Sequence, residues 1–407
     1  MTFEIALTGI NAASAELEVI SNNIANNATN GFKQSHAEFA DVYAVSGQGT
    51  PGTAIGSGVR VSRVAQDFSQ GDMTFTSNNL DIAISGEGFF RMDDHGSVVY
   101  SRAGNFGLDA QGNIVNSVGH SLTGYTANED GVLTSSLGRL QLDTSDLPPR
   151  QTSEIALDLN LDPSADILAA PFDVNDPSTY NFSTSTMMFD SLGTSHEVTM
   201  YYHKDGDNTW SSFMFVEGQE VSAPGGDSLV FSTAGGLESV NGGTGNTIST
   251  IPFTPVGGTA EQTIDIDISS MTQFVNPFGI NNIQQNGYSP GRLQDIDVDA
   301  SGVIYGDYNN GEAKILGQIV LTSFSNEQGL TPIGDSAWKE SVASGIGVTN
   351  APGSADLGLL QSGAVEESNV DLTAELVAMI GAQRSFQANA QVISTADTLA
   401  QTIINLR

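Results

Sequence analysis

Residues 3–24, FEIALTGINAASAELEVISNNI, place apolar side chains at Phe3, Ala6, Ile10, Ala13, Leu17, Ile20 and Ile24, in steps of 3, 4, 3, 4, 3 and 4. Every position of this series is apolar and no proline interrupts it, which is the pattern of a helix with a coiled-coil type of seam. The C-terminal stretch repeats the spacing at Leu372, Leu376, Met379, Phe386, Ala390, Ile393, Ala400 and Ile404, with Gln383 and Asp397 as polar exceptions. A second stripe, Val392, Ala396, Leu399, Ile403 and Leu406, overlaps it, so this helix has an apolar surface wider than one partner helix needs. Chain ends usually fray, and a helix of about 22 residues alone in water is marginal. The two helices must therefore find each other or find neighbouring copies of the chain. The self-assembly surface is expected at Phe3, Ile10, Leu17, Ile20 and Ile24 of the first helix, and at Leu376, Met379, Phe386, Ile393, Leu399, Ile403 and Leu406 of the second.

The region between the helices reads as β. Short apolar runs alternate with turn signals: Ile82–Ile84, Gly86–Gly88, Phe89–Met92, Asp93–Gly96, Val98–Tyr100. The phrase Asp109-Ala110-Gln111-Gly112-Asn113-Ile114 marks a turn into a strand, and it returns as Asp299-Ala300-Ser301-Gly302-Val303-Ile304. Two copies so far apart suggest one β domain assembled from both halves of the chain. The stretch between them becomes an insertion, with a hairpin expected from His196–His203 through Asp205–Asn208 to Thr209–Val216 and a strand at Thr263–Ile268. Residues 143–300 hold 22 acidic against 3 basic side chains, a net −19, so the inserted module is expected to face solvent. The expected fold is mainly β with terminal α-helices, nested as several domains. The paired helical segments are 1–30 and 365–407, and 31–75 is a connecting region. A discontinuous β domain spans 76–145 and 291–364, and 146–290 is an inserted outer acidic β domain.

Charge excludes whole classes of function. The chain has 13 basic and 47 acidic residues, a formal net charge of −34. Nucleic-acid binding rests on Lys and Arg neutralising phosphates, and attachment to anionic membranes needs the same cations; neither is expected. No window is apolar and long enough for a membrane-spanning helix. The N-terminus lacks a basic n-region and a sustained apolar stretch, so no standard secretory signal peptide is expected. With no cysteine, disulfides, thiolate metal sites and cysteine nucleophiles are excluded.

No catalytic constellation stands out. There is no Gly-Lys dipeptide for a phosphate-binding Walker loop. His196-Glu197 is followed by His203 seven positions after His196, which does not make a zinc-protease motif. Asp297-x-Asp299-x-Ser301-Gly302 opens like an EF-hand loop, but its twelfth position is Tyr308, which cannot supply a bidentate carboxylate. A tight turn accounts for those residues, and Asp93-Asp94-His95 reads as a hairpin tip. No enzyme activity, cofactor or metal is expected.

Several phrases do point to a family. Ser21-Asn22-Asn23-Ile24-Ala25-Asn26, followed by Thr29-Asn30-Gly31-Phe32-Lys33, resembles the N-terminal signature of bacterial flagellar axial proteins of the rod and hook. Asn79–Phe90, Tyr100–Phe106 and Glu367–Leu372 with Met379-Ile380 and Ala382–Arg384 resemble further phrases of that family. The large insertion, Gln70-Gly71-Asp72, Leu316–Ile319 and the ending Ile404–Arg407 look more like the hook than the rod branch. The motif residues Ser21, Asn22, Asn23, Ala25, Asn26, Thr29, Gly31 and Phe32 carry this resemblance.

The resemblance implies a non-enzymatic subunit outside the cell that self-assembles into a curved helical tube, a universal joint passing torque from rod to filament. It also implies export through the flagellar type III apparatus and contacts with rod, hook cap and hook–filament junction proteins. The alternative within the family is another axial component, such as a distal rod protein with an extended insert. A secreted adhesin or polysaccharide-active protein would call for a signal peptide and an aromatic groove, and the chain has only Trp210 and Trp338.

Overall fold

The computed structural model describes residues 2–43, 56–128, 131–143, 145–257 and 259–405. Two long helices stand at the ends, α1 (Thr2–Ala25) and α2 (Leu372–Asn405), and the regular structure described between them is strand apart from two short 3-10 turns. Asp371 starts α2 as its N-cap, its Oδ1 accepting from Thr373 N at 2.8 Å and Ala374 N at 3.2 Å. The helices pack antiparallel: Asn23 meets Glu375 while Gly9 lies against Asn389. A Cβ at Gly9 would collide with the Asn389 amide, so glycine sets how close the helices come.

The chain divides into two compact units, one of residues 1–144, 295–307 and 313–407, the other of 145–294 and 308–312. In the first unit the path after α1 forms an antiparallel hairpin, Ser35–Asp41 with Val59–Gln66. This hairpin occupies much of the 31–75 stretch expected as a connecting region; residues 44–55 of that stretch lie outside the described residues. The main sheet then interleaves both halves of the chain. Ser121–Ala127, Phe89–Asp94 and Ser97–Ser101 sit mid-sheet. Ala313–Ile319 joins on the side of Ser121–Ala127, and Ala337–Lys339 joins on the side of Ser97–Ser101. Ile82, Phe90, Met92, Leu122, Ile304 and Ile319 form one core from both halves.

The repeated phrase makes the same turn twice. Asp109 Oδ1 accepts from Gln111 N and Asn113 N, each at 2.8 Å; Asp299 Oδ1 accepts from Ser301 N and Val303 N, each at 2.9 Å. Gly112 and Gly302 follow at φ +82° and +80°, a region open to glycine. Farther down, Leu359–Ser362 pairs with Ile82–Ser85 and Ala364–Glu366 with Met73–Phe75, leading the returning chain back beside the outgoing one and into α2.

The second unit carries a four-stranded and a six-stranded sheet that share one core around Leu157, Tyr202, Trp210, Met214, Leu229 and Ile266. Its hairpin is Ser195–Gly206 with Thr209–Val216, turning where Asn208 takes φ +57°. The strand expected at Thr263–Ile268 is the shorter Asp265–Asp267. Within this unit Leu147 N donates to Gly291 O at 2.7 Å, so its entering and leaving segments lie side by side.

His196 in this unit is buried between two carboxylates, Nε2 at 2.9 Å from Asp190 Oδ2 and Nδ1 at 2.9 Å from Glu217 Oε1. Each bond needs an N–H, so the imidazolium suits the site. Burial opposes the charge, but the two carboxylates outweigh it and raise the pKa of His196 above its ordinary value. A raised folded-state pKa adds stability that is full below about pH 6.5, the unfolded value, and is lost as pH rises through the folded one. Asp190 is also buried, yet His196 and the N–H groups of Thr194 and Leu192 hold its pKa low, so its contribution is lost only on strong acidification. Thermal unfolding of the second unit should therefore weaken from pH 6 to 9, and His196→Gln should flatten that slope. An equal slope in the variant would remove the assignment.

Candidate functional site

The places that matter most lie where the two chain ends run together. At the end of α1, Asn26 Nδ2 donates to Asn22 O at 2.9 Å and Thr29 Oγ1 donates to Asn26 Oδ1 at 3.2 Å, which closes the helix locally. Asn23 is buried and links three segments. Its amide donates to Ser35 O at 2.7 Å and to Glu375 Oε1 at 3.0 Å, and its oxygen accepts from Ser35 N at 3.0 Å. Gly31 holds φ +67°; a Cβ there would run into the backbone of Ala103, and its N–H donates to Glu366 O at 2.8 Å. Phe32 is half-buried beside an open groove of about 670 Å³, whose walls include Asn22, Asn26, Thr29, Ser336 and Trp338. Ser21 and Ala25 are exposed on the outside of the helix.

Two residues beyond Gly31 the chain buries a charge. Lys33 is 1% exposed, and its Nζ donates to Glu366 Oε1 at 2.6 Å and to Ser69 O at 2.7 Å. Arg102, 2% exposed, reaches the other oxygen of Glu366 at 3.4 Å through its terminal nitrogen, while its Nε has no hydrogen-bond partner among the described residues. Gly71 N adds a third bond to Glu366 at 3.0 Å. Burial lowers the pKa of Lys33, with Glu366 as the main opposing influence; burial likewise lowers that of Arg102. One carboxylate thus serves two buried cations. Around it, Asn369 accepts from Gln34 N at 2.7 Å and donates to Asp67 O at 2.9 Å, and Gln34 Nε2 donates to Glu375 Oε1 at 2.6 Å.

Lys33 and Arg102 stand in the sequence only as members of the family phrases, with no role attached to either, and no motif marks Glu366 or Glu375. A usable signal was present: Lys33 is one of four lysines in a strongly acidic chain.

The helix seam differs in detail from its spacing. On α1, Ala6, Ala13 and Ile20 are buried, Ile10, Leu17 and Ile24 are half-buried, and Phe3 is exposed. On α2 the buried positions are Glu375 and Ala382, with Met379, Ala390 and Ile393 half-buried. Leu376, Phe386 and Leu399 of the expected set are exposed within the single chain, as are Leu372 and Val392. The reason is close approach: small side chains let α1 and α2 draw together, and larger apolar groups are left on the flanks. Leu406 lies outside the described residues, as does the side chain of Ile403.

Removing the carboxylate should be severe. Glu366→Gln leaves Lys33 and Arg102 buried without the carboxylate they share, a loss of about 3–5 kcal/mol, to be read by denaturant unfolding of the first unit. Lys33→Met, which removes one of the cations instead, should cost less. Equal and small effects from both would mean that water, not Glu366, satisfies the cations.

The chain resembles known proteins along its whole length. Family models match four parts of it: Flagella basal body rod protein over residues 3–33, Flagellar hook protein FlgE/F/G D1 domain over 83–158, Flagellar basal body protein FlaE D2 domain over 157–288, and Flagellar basal body rod FlgEFG protein C-terminal over 361–406. The flagellar hook protein FlgE of Escherichia coli (strain K12) is 38% identical over 421 residues, covering 100% of both chains. That of Rhizobium meliloti (strain 1021) is 32% identical, over 100% of this chain and 98% of its own. Among solved structures, the flagellar hook protein FlgE2 of Helicobacter pylori shares the fold at a TM-score of 0.54 and 15% identity, covering 71% of this chain and 99% of that one. With terminal helices, an interleaved β unit and whole-length relatives in agreement, the chain belongs to the flagellar hook protein family, FlgE.

Proposed function

We propose that this hook subunit polymerises through its terminal helices into a curved tube that passes torque from rod to filament while bending. The observation that carries this reading is the apolar surface left on α2 after it has packed on α1: Leu376, Val377, Ile380, Val392 and Leu399 are all exposed. Phe3 and Leu7 are likewise exposed on α1. An isolated chain gains nothing from holding such groups in water, whereas neighbouring copies bury them at about 25 cal/mol per Å². Contacts between unlike surfaces need not close, so they propagate into a filament. The proposed role involves no catalysis and no cofactor.

On the same reading, the chain leaves the cell through the flagellar type III apparatus. It meets rod, hook cap and hook–filament junction proteins at the ends of the tube. Segments 1–30 and 365–407 act as the assembly domain, and the motif from Ser21 to Phe32 anchors α1 to the β unit. Residues 76–145 with 291–364 form one β domain and 146–290 an inserted acidic one.

The test is to polymerise the purified chain and image it. Tubes are expected, and a chain that stays monomeric at every salt concentration would overturn the reading. Leu376→Asp and Leu399→Asp should each raise the critical concentration tenfold or more while leaving thermal unfolding unchanged, because both side chains are already solvated in the monomer.

Charge sets a second expectation. Subunits of −34 packed side by side repel, and the screening length falls from about 30 Å at 0.01 M salt to about 8 Å at 0.15 M. Critical concentration measured by sedimentation should fall as NaCl rises or as pH drops towards the sequence pI near 4.1. A variant lacking 146–290 should respond less. A flat salt curve for the full chain would show that repulsion does not limit assembly.

A further inference from the structure

The loop between strands Ala337–Lys339 and Val348–Asn350 presents apolar side chains outward. Val342 is fully exposed, Ile346 is 87% exposed, and Val348 follows them. Single apolar residues on a surface are ordinary. Here, however, the backbone that carries them is tightly held. Ser341 Oγ donates to Gly329 O at 2.5 Å and accepts from Ala343 N at 3.0 Å. Ser344 is wholly buried; its hydroxyl donates to Ser341 O and accepts from Ser341 N, both at 2.9 Å. Asn326 Nδ2 donates to Ala343 O at 2.8 Å, and a Cβ on Gly329 would strike the backbone of Ala343 and Ser344. Val348–Asn350 continues the loop as a strand paired with Leu321–Ser323. Such a loop loses little conformational freedom when something covers it, which removes a main cost of binding.

Charge indicates what covers it. Residues 341–355 contain no ionisable side chain, in a chain of net charge −34. Two copies approaching each other meet like charge over most of their surfaces. A neutral apolar knob is a place where they can touch without bringing carboxylates together. Lys339, one of only 13 basic residues, stands half-buried at the root of the loop and suits the acidic rim of a second copy.

We propose that this loop is a contact between copies of the chain in the hook, with Val342 and Ile346 entering an apolar recess of the next subunit. It rests on the assembly reading above but uses a surface other than the helices. Because the knob and its recess are unlike, the contact is heterologous and repeats along the polymer.

Two variants of the full chain, Val342→Asp and Ile346→Asp, test it. Thermal unfolding should match the parent, since neither side chain is packed, and the critical concentration should rise about tenfold or more. The absence of native cysteine gives a second readout. Val342→Cys carrying a benzophenone maleimide should photocross-link into covalent dimers in the polymer and not in the depolymerised chain. If the parent polymerises and both aspartate variants stay within twofold of it, or no dimer forms, the proposal is overturned. Should Leu376→Asp still block assembly in that case, the helix reading survives. A parent that never polymerises removes both.

Discussion

Glu366 is the point on which the first unit turns. It ends the strand Ala364–Glu366, immediately before the segment that leads into α2, and its carboxylate sits between Lys33 and Arg102 with Gly71 N as a third donor. Two cations taken out of water are tolerable only where an anion and backbone oxygens receive them. The cluster ties together the segment after α1, the strand Ser97–Ser101 that leads to Arg102, the Ser69–Gly71 turn and the approach to α2. None of these segments could shift without stranding a buried charge. The direction in which the helices leave the β unit is set here, and Asn23, Gln34 and Asn369 extend the network by uncharged amides on one flank, the first two donating to the Glu375 carboxylate.

The helix pair adds a different constraint. Alanine and glycine bring α1 and α2 close, so their mutual contact uses little of the apolar surface they carry. What remains points outward along α2. A helix that buried all its apolar groups inside its own subunit would have nothing to offer a neighbour. A helix that buried none would be marginal in water. The small-residue seam lies between these limits, which is the arrangement a polymerising subunit needs.

Electrostatics divides the molecule by role. The chain's few cations include three that are buried at structural posts, Lys33 and Arg102 around Glu366 and Lys204 bonded to the carbonyls of Pro163 and Ala165. Among the described residues, the carboxylates of Asp190, Asp227, Glu366 and Glu375 are buried as well, so the surface keeps nearly all of the chain's negative charge. Solvated carboxylates of like sign repel between separate chains, and the contacts proposed above, on α2 and on the loop after Lys339, are at places with few charges.

Much of this was legible in the residues. The 3–4 spacing marks both helices, because apolar groups on one helical face leave no other regular reading. The alternating runs mark strands, and the repeated Asp-Ala-x-Gly phrase marks two like turns, because an Asp side chain capping its own backbone before a glycine is a local device. The tertiary structure alone decided which side of α2 faces α1, since that depends on how near two backbones come and not on spacing within either. It also decided the partner of Lys33, which is 333 residues away at Glu366. An ion pair between segments from opposite ends of a chain has no periodicity to announce it; the pairing of Ala364–Glu366 with Met73–Phe75 and the bond from Gly31 N to Glu366 O bring that carboxylate to the lysine.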